Sequence, residues 1–150
     1  MNKLVIGLDF GTDSVRALVV NASTGQEEAC HVAYYPRWAK GLYCNPSENR
    51  FRQHPMDYLE SMEEAVRGAV AQLPVGAAEH IIGIGVDTTG STPVAVNKQG
   101  TPLALLDEFQ DNPNAMFILW KDHTAIQEAA EINTAARSWG GENFIKYVGG

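Results

Sequence analysis

The sequence has 150 residues, 45% of them hydrophobic, with 11 Lys and Arg against 18 Asp and Glu and a formal net charge of −7. This length predicts a single domain, and the negative charge argues against a DNA- or RNA-binding module, which would carry a basic face. No run approaches the roughly 18 apolar residues of a membrane span, and Asp9 interrupts an N-terminal run too short for a signal peptide. We therefore expect a globular cytoplasmic domain without a nucleic-acid or membrane partner.

Three strands are predicted at the start of the chain. Residues 3–9 form a nearly continuous apolar run, which is typical of a central strand buried on both faces. Residues 15–21 and 27–35 follow as two further strands after short turns that contain glycine. Strands joined by such turns predict an antiparallel meander.

The middle of the chain predicts a long loop and then a crossover helix. Residues 36–55 show no period, so we predict a loop. From Pro55 a helix is predicted, which Pro74 and Gly76 end. Its apolar face comprises Leu59, Met62, Val66, Ala69 and Leu73. Residues 81–87 form a second continuous apolar strand, and because a helix leads to it, we expect it to lie parallel to the first strand.

The last third of the chain predicts a strand pair and a second helix. Residues 94–96 and 103–106 flank a turn at 97–100, and the helix is predicted over 122–137, with Asp122 placed to cap it. The element order is therefore β-β-β-α-β-β-α.

The turn after the first strand carries the sharpest chemical pattern in the chain. Its key residues are Asp9, Gly11, Thr12, Ser14 and Arg16. Glycine lets the backbone approach an anion, and successive N–H groups of a turn can form an anion site. Hydroxyl groups and an arginine can bind phosphate oxygens, and Asp9 can hold Mg²⁺ through water. An ordinary hairpin turn favours the same residue types, so spacing alone leaves both interpretations open.

The pattern Asp-x-Gly-Thr-x-Ser-x-Arg after an N-terminal strand resembles the first phosphate motif of the actin/Hsp70/sugar-kinase ATPase superfamily. Within that superfamily, essentially the whole chain resembles the N-terminal domain of the FGGY carbohydrate kinases, in particular the branch that phosphorylates L-ribulose. The further matching stretches are residues 82–90, Tyr35-Pro36-Arg37-Trp38, Phe51-Arg52-Gln53-His54-Pro55, Asp111-Asn112-Pro113 and Leu119-Trp120-Lys121-Asp122-His123. The resemblance implies an α/β, RNase H-like (actin-like ATPase) domain, with a mixed five-stranded sheet and flanking helices.

The same resemblance implies phosphorylation of L-ribulose at its terminal hydroxyl, with ATP and Mg²⁺ as cofactors. It assigns ATP phosphates and magnesium to Asp9, Gly11, Thr12, Ser14 and Arg16. It assigns the sugar to Thr89, Gly90, Ser91, Thr92, Trp120 and Asp122. From the residues alone, Trp120 could instead pack in the core, and Asp122 could simply cap a helix.

The resemblance also implies that residues 1–150 are an incomplete N-terminal kinase domain. The family's second phosphate loop, adenosine pocket and general-base Asp lie beyond residue 150, so we expect no catalytic residue in this chain and no turnover by it alone. A homodimer is left open. Two alternatives remain: a nuclease that pairs Asp9 and Asp87 across two metals, which the negative charge opposes, and a non-catalytic sugar- or nucleotide-binding module.

Overall fold

A computed structural model describes residues 3–148, which form two β-sheets and four helices. The strands are β1 (Leu4–Phe10), β2 (Ser14–Asn21), β3 (Glu27–Tyr34), β4 (Cys44–Asn45), β5 (Arg50–Gln53), β6 (Ile81–Thr88) and β7 (Phe117–Ile118). The helices are α1 (Pro36–Ala39), α2 (Pro55–Val70), α3 (Ile126–Ala136) and α4 (Ile145–Val148). Within residues 3–148, no helix has both the length and the apolar character needed to cross a membrane.

The main sheet has the strand order β3-β2-β1-β6. Strand β1 pairs antiparallel with β2 and parallel with β6, and this confirms the predicted meander and the parallel crossover. The described sheet has four strands, so the predicted five-stranded sheet is wrong for residues 3–148. The strand pair predicted at 94–96 and 103–106 does not form: Val96 makes a single isolated bridge with Pro102, and the Leu103 N–H donates to the Ala95 carbonyl at 2.9 Å. Pro93 and Pro102 lack the N–H groups that a longer ladder would need.

Helix α2 packs very closely against the main sheet. It begins at Pro55 as predicted, but its buried positions include Ser61, Ala65 and Ala69, whereas Leu59 is 46% exposed. A Cβ added at Gly68 would lie 2.4 Å from the His31 ring of β3. Small residues therefore face the sheet where the helix approaches it too closely for larger ones. Of the predicted apolar face, Ala69 is buried and Met62, Val66 and Leu73 pack partly buried against the core, so the prediction fails only at Leu59.

Residues 36–55 form structure where a loop was predicted. They contain α1 and the β4–β5 hairpin, and β5 pairs antiparallel with β7 to complete a second sheet in the order β4-β5-β7. Strands of two and four residues are too short to show a period in the sequence. This second sheet lies beside the turn that joins β1 to β2, because Gln53 at the end of β5 contacts Thr12.

Strand β6 is exposed, although its continuous apolar sequence predicts burial. Ile82, Ile84 and Val86 are 61%, 61% and 62% exposed, and within residues 3–148 only β1 pairs with this strand.

The second long helix also differs from its prediction over 122–137, since α3 begins at Ile126 and its N-cap is Ala125. Asp122 does not cap that helix because its carboxylate pairs with Arg52.

Candidate functional site

The predicted phosphate turn is a tight hairpin connection of residues 11–13 between β1 and β2. The Gly11 N–H donates to the Ser14 carbonyl at 2.9 Å, and the Ser14 hydroxyl donates to Asp13 Oδ1 at 3.0 Å. Within residues 3–148, the N–H groups of Thr12 and Asp13 have no hydrogen-bond acceptor. Two adjacent donors are therefore available to an anion.

Asp9 and Arg16 flank this turn as an exposed ion pair. They are register partners in β1 and β2, and Arg16 Nη2 lies 2.9 Å from Asp9 Oδ2, with side chains 55% and 49% exposed. The Asp9 carboxylate and the Arg16 guanidinium both face solvent, so a ligand can reach either group and replace its partner. The turn thus combines a cation and free amide donors, which suit phosphate oxygens.

A second carboxylate lies beside Asp9. Asp87 is its register partner in the parallel strand β6, and its Oδ1 accepts the Thr88 N–H at 3.0 Å. Among the described residues, no group of three or more His, Cys, Asp or Glu could hold a metal ion. One or two carboxylates nevertheless fit Mg²⁺, which keeps several waters and takes its remaining ligands from phosphates.

Two buried side chains, Tyr35 and Gln53, hold the turn, and the partly buried Tyr58 holds Gln53. The Tyr35 hydroxyl donates to the Gly11 carbonyl at 3.3 Å, and Gln53 Nε2 donates to the Thr12 carbonyl at 2.6 Å. The Tyr58 hydroxyl donates to Gln53 Oε1 at 2.6 Å. Burial raises the pKa of Tyr58 to about 12, so the phenol is a neutral donor at ordinary pH. Sequence reasoning missed Gln53 and Tyr58 as site residues; the stretch 51–55 was noted only as part of the resemblance.

The segment predicted to bind sugar begins directly after β6. A pocket of ≈ 260 Å³ opens there, and two of the predicted residues, Thr89 and Thr92, line it. Its other lining residues are Phe10, Tyr58, Leu59, Met62, Thr88 and Phe117. A Cβ added at Gly90 would meet no atom within 4 Å, and Ser91 has a left-handed backbone with φ 54°. The structure therefore places the strand end beside a small, mainly apolar pocket close to the phosphate turn.

Trp120 contacts the phosphate turn from a distant part of the chain. Its side chain is 54% exposed, so the core-packing alternative is wrong. The indole Nε1–H donates to the Thr12 hydroxyl at 3.3 Å. An exposed aromatic ring therefore lies against the phosphate turn, where a ligand can reach it.

Asp122 lies behind Trp120 in a buried ion pair. Its Oδ2 is 2.7 Å from Arg52 Nε, with the two side chains 1% and 6% exposed, and it also accepts the Phe51 N–H at 2.8 Å. Its Oδ1 accepts the N–H and hydroxyl of Thr124 at 3.1 and 2.7 Å. Burial alone would raise the pKa of Asp122, but hydrogen bonds from Arg52, Thr124 and Phe51 outweigh it and hold the pKa well below its usual range. Because both oxygens are engaged, the carboxylate anchors the segment that carries Trp120.

The family model and two relatives that match this chain are all of carbohydrate kinases. The model of the N-terminal domain of the FGGY family of carbohydrate kinases matches residues 4–143. A ribulokinase of Vibrio parahaemolyticus is 57% identical over 146 residues, covering 97% of this chain and 26% of the relative. A ribulokinase of Halalkalibacterium halodurans is 38% identical over 153 residues, covering 99% and 27%. The chain thus spans about a quarter of the length of these curated relatives.

A solved structure shares the fold. Gluconate kinase from Lactobacillus acidophilus superposes with a TM-score of 0.67 at 14% identity, over 93% of this chain and 24% of that chain. At this identity the likeness speaks for the fold alone, and it supports the α/β sugar-kinase architecture expected from the phosphate motif.

Proposed function

Because the chain belongs to the FGGY family of carbohydrate kinases, we propose that it is the N-terminal part of a longer kinase that phosphorylates the terminal hydroxyl of L-ribulose with ATP. The observation that carries the proposal is the phosphate turn, where Asp9 and Arg16 flank two amide donors that have no protein acceptor. The substrate follows from the relatives, since a ribulokinase is 57% identical across nearly the whole chain. These relatives favour a kinase over the nuclease alternative.

On the ATP side, the proposed ligands surround the turn between β1 and β2. The free N–H groups of Thr12 and Asp13, the hydroxyls of Thr12 and Ser14, and the Arg16 guanidinium bind phosphate oxygens. Gly11 carries no side chain that would obstruct an anion. Asp9 holds Mg²⁺ through water, and the ion supplies charge neutralisation to the phosphates.

On the sugar side, we place L-ribulose between the end of β6 and Trp120. Thr89 and Thr92 offer hydroxyl groups, and Gly90 leaves open space for the sugar to approach the backbone. Ser91 lies on the same exposed segment. Trp120 offers an apolar ring to the C–H groups of the sugar, and Asp122 acts by anchoring that ring's segment through Arg52.

The general base and the rest of the nucleotide site are proposed to lie in other parts of the kinase polypeptide. Support comes from the relatives, of which this chain covers only 26% and 27%. Phosphoryl transfer depends mainly on positioning and charge compensation, and the described residues provide one side of such a site. The isolated 150-residue chain is therefore expected to show no turnover.

A kinetic comparison of two aspartates in the turn tests the proposal. In the complete kinase polypeptide that contains this sequence, Asp9→Asn should lower kcat/KM with ATP, Mg²⁺ and L-ribulose about 100-fold or more. Asp13→Asn is the matched control, because Asp13 is exposed in the same turn and contacts only Ser14 through its side chain; we expect its rate to change less than about threefold. Full activity in Asp9→Asn would refute the assignment of the turn, and no phosphorylation of L-ribulose by the wild type would refute the substrate.

A further inference from the structure

The N–H groups of Thr12 and Asp13, which are proposed to bind phosphate, are oriented by hydrogen bonds to the carbonyl at the other end of each peptide unit. The Gly11 carbonyl accepts the Tyr35 hydroxyl, and the Thr12 carbonyl accepts Gln53 Nε2. Each carbonyl belongs to the peptide unit whose N–H is the next residue's free donor. In a planar trans peptide the C=O and N–H bonds point in opposite directions, and the described chain has no cis peptide bond. Holding these carbonyls inward therefore turns the N–H groups of Thr12 and Asp13 outward.

Gln53 is itself fixed at both ends of its amide. The side chain is 1% exposed, and its Oε1 accepts the Tyr58 hydroxyl at 2.6 Å. Because the Thr12 carbonyl can only accept, the NH₂ group is the end of the amide that faces it, and the oxygen is left for the phenol. Tyr58 is in turn fixed by stacking on Tyr35 and Phe117, with ring centroids 4.8 and 4.4 Å apart.

We propose that Gln53 is a positioning residue for the nucleotide, which aims the Asp13 N–H at a phosphate oxygen by holding the Thr12 carbonyl inward. This inference rests on the proposed kinase function. Tyr35 does the same for the Thr12 N–H, over the longer distance of 3.3 Å. Gln53 touches no substrate in this arrangement; it acts through the backbone of the turn. A buried amide of the second sheet thereby sets the geometry of a loop in the first.

The first test separates KM for ATP from the other kinetic constants. Gln53→Met keeps the side-chain length but removes the donor, and in the complete kinase it should raise KM for ATP about 10-fold to 100-fold, since small misplacements cost up to that much. KM for L-ribulose should stay within about twofold. Gln72→Met is the matched control, because it is the same substitution and removes the same kind of contact, from Gln72 Nε2 to the Cys30 carbonyl at 2.8 Å, away from the turn. It should raise KM for ATP less than about threefold.

A pH profile gives a second, independent readout. Gln53→Glu retains the shape, and only its protonated form can donate to the Thr12 carbonyl. The variant's affinity for ATP should therefore approach that of the wild type at low pH and fall as the pH rises, over a range in which circular dichroism shows both proteins folded. The wild type should show no such difference, because its amide does not titrate.

The results distinguish this inference from the kinase proposal. If the wild type phosphorylates L-ribulose but Gln53→Met leaves KM for ATP unchanged, the positioning role is refuted and the kinase proposal stands. If Gln53→Met and Gln72→Met raise KM for ATP equally, the effect is not specific to the Thr12 carbonyl and the positioning role is again refuted. If the wild type phosphorylates no sugar, the kinase proposal itself fails.

Discussion

Two Arg–Asp pairs in this molecule have nearly the same geometry and opposite surroundings. Arg52 and Asp122 lie 2.7 Å apart with side chains 6% and 1% exposed, whereas Arg16 and Asp9 lie 2.9 Å apart with side chains 55% and 49% exposed. The buried carboxylate receives further hydrogen bonds from backbone and hydroxyl donors. Beside the exposed pair, the backbone N–H groups of Thr12 and Asp13 have no hydrogen-bond acceptor within the described residues. Exposure and open donors, rather than the pairing itself, distinguish the candidate site from the scaffold.

Electrostatics explains the difference in what each pair does. Removing charges from water is costly, and a buried pair is tolerated only when its geometry and remaining hydrogen bonds are good. Removing one partner then leaves an uncompensated charge in the interior. An exposed pair loses little solvation and contributes about 0–1 kcal/mol. It can therefore open for a ligand at little cost to the fold.

The largest expected effect comes from breaking the buried pair. Asp122→Ala should lower the free energy of unfolding by about 3–5 kcal/mol, because Arg52 would stay buried without its counter-charge. Urea denaturation followed by circular dichroism measures it. Glu63→Ala is the control, since it breaks the exposed Arg67–Glu63 pair, with side chains 78% and 64% exposed, and should cost less than about 1 kcal/mol. Equal losses in the two variants would contradict the distinction drawn between the pairs.

Acid should weaken the buried pair in a defined direction. The folded state holds the pKa of Asp122 below its usual range, whereas in the unfolded chain it is about 3.9. The contribution of the Asp122 carboxylate to the free energy of unfolding is therefore fully present at a pH above its pKa in the unfolded chain. It is lost as the pH falls through its pKa in the folded state. Urea titrations between pH 7 and acid pH should show a fall in stability below about pH 4, and Asp122→Asn should show a shallower one. If the free energy of unfolding of Asp122→Asn falls with pH as steeply as that of the wild type, other carboxylates cause the acid sensitivity.

A third pair, of intermediate exposure, should give an intermediate loss. Asp57 is fully buried, whereas its partner Arg37 is 28% exposed and also contacts Glu60. The Asp57 carboxylate accepts backbone N–H groups of Arg37 and Trp38, so Asp57→Asn places an NH₂ group among donors and should cost about 1–3 kcal/mol. Differential scanning calorimetry can compare it with Glu60→Gln, for which we expect less than about 1 kcal/mol. If Asp57→Asn lost less stability than Glu60→Gln, the expectation that more buried ion pairs contribute more to stability would be wrong.

The smallest effect on stability is expected at the phosphate turn. Arg16→Ala should change the free energy of unfolding by less than about 1 kcal/mol, because both partners of its ion pair are about half exposed. In the complete kinase, the same variant should raise KM for ATP. A loss of stability as large as that of Asp57→Asn would instead make the exposed pair part of the scaffold.

The sequence predicted the main sheet well because its signals are local. Apolar runs marked β1 and β6, glycine-containing turns marked the meander, and an intervening helix implied the parallel pairing. The second sheet was missed because β5 has four residues and its partner β7 has two, more than sixty positions later. Such a pairing leaves no periodicity to read. The close approach of α2 to the sheet at Gly68 likewise depends on a tertiary contact with His31.

The candidate site divides in the same way. Asp9, Gly11, Thr12, Ser14 and Arg16 are contiguous along the chain, so a motif could predict them together. Gln53 was missed because a buried amide looks like any polar loop residue until its partners on other elements are known. The pairing of Asp122 with Arg52 spans 70 residues, and helix capping was the local interpretation of the same carboxylate.

The contact between Trp120 and Thr12 also gives the chain an intrinsic optical probe. An indole that is 54% exposed, with its Nε1–H on the phosphate turn, emits from an environment that an anion or a sugar would alter. The chain has three tryptophans, and the other two, Trp38 and Trp139, have no described side-chain hydrogen bond to that turn. With those two replaced by phenylalanine, the emission of Trp120 would report ligand arrival at the turn in real time, without an attached dye.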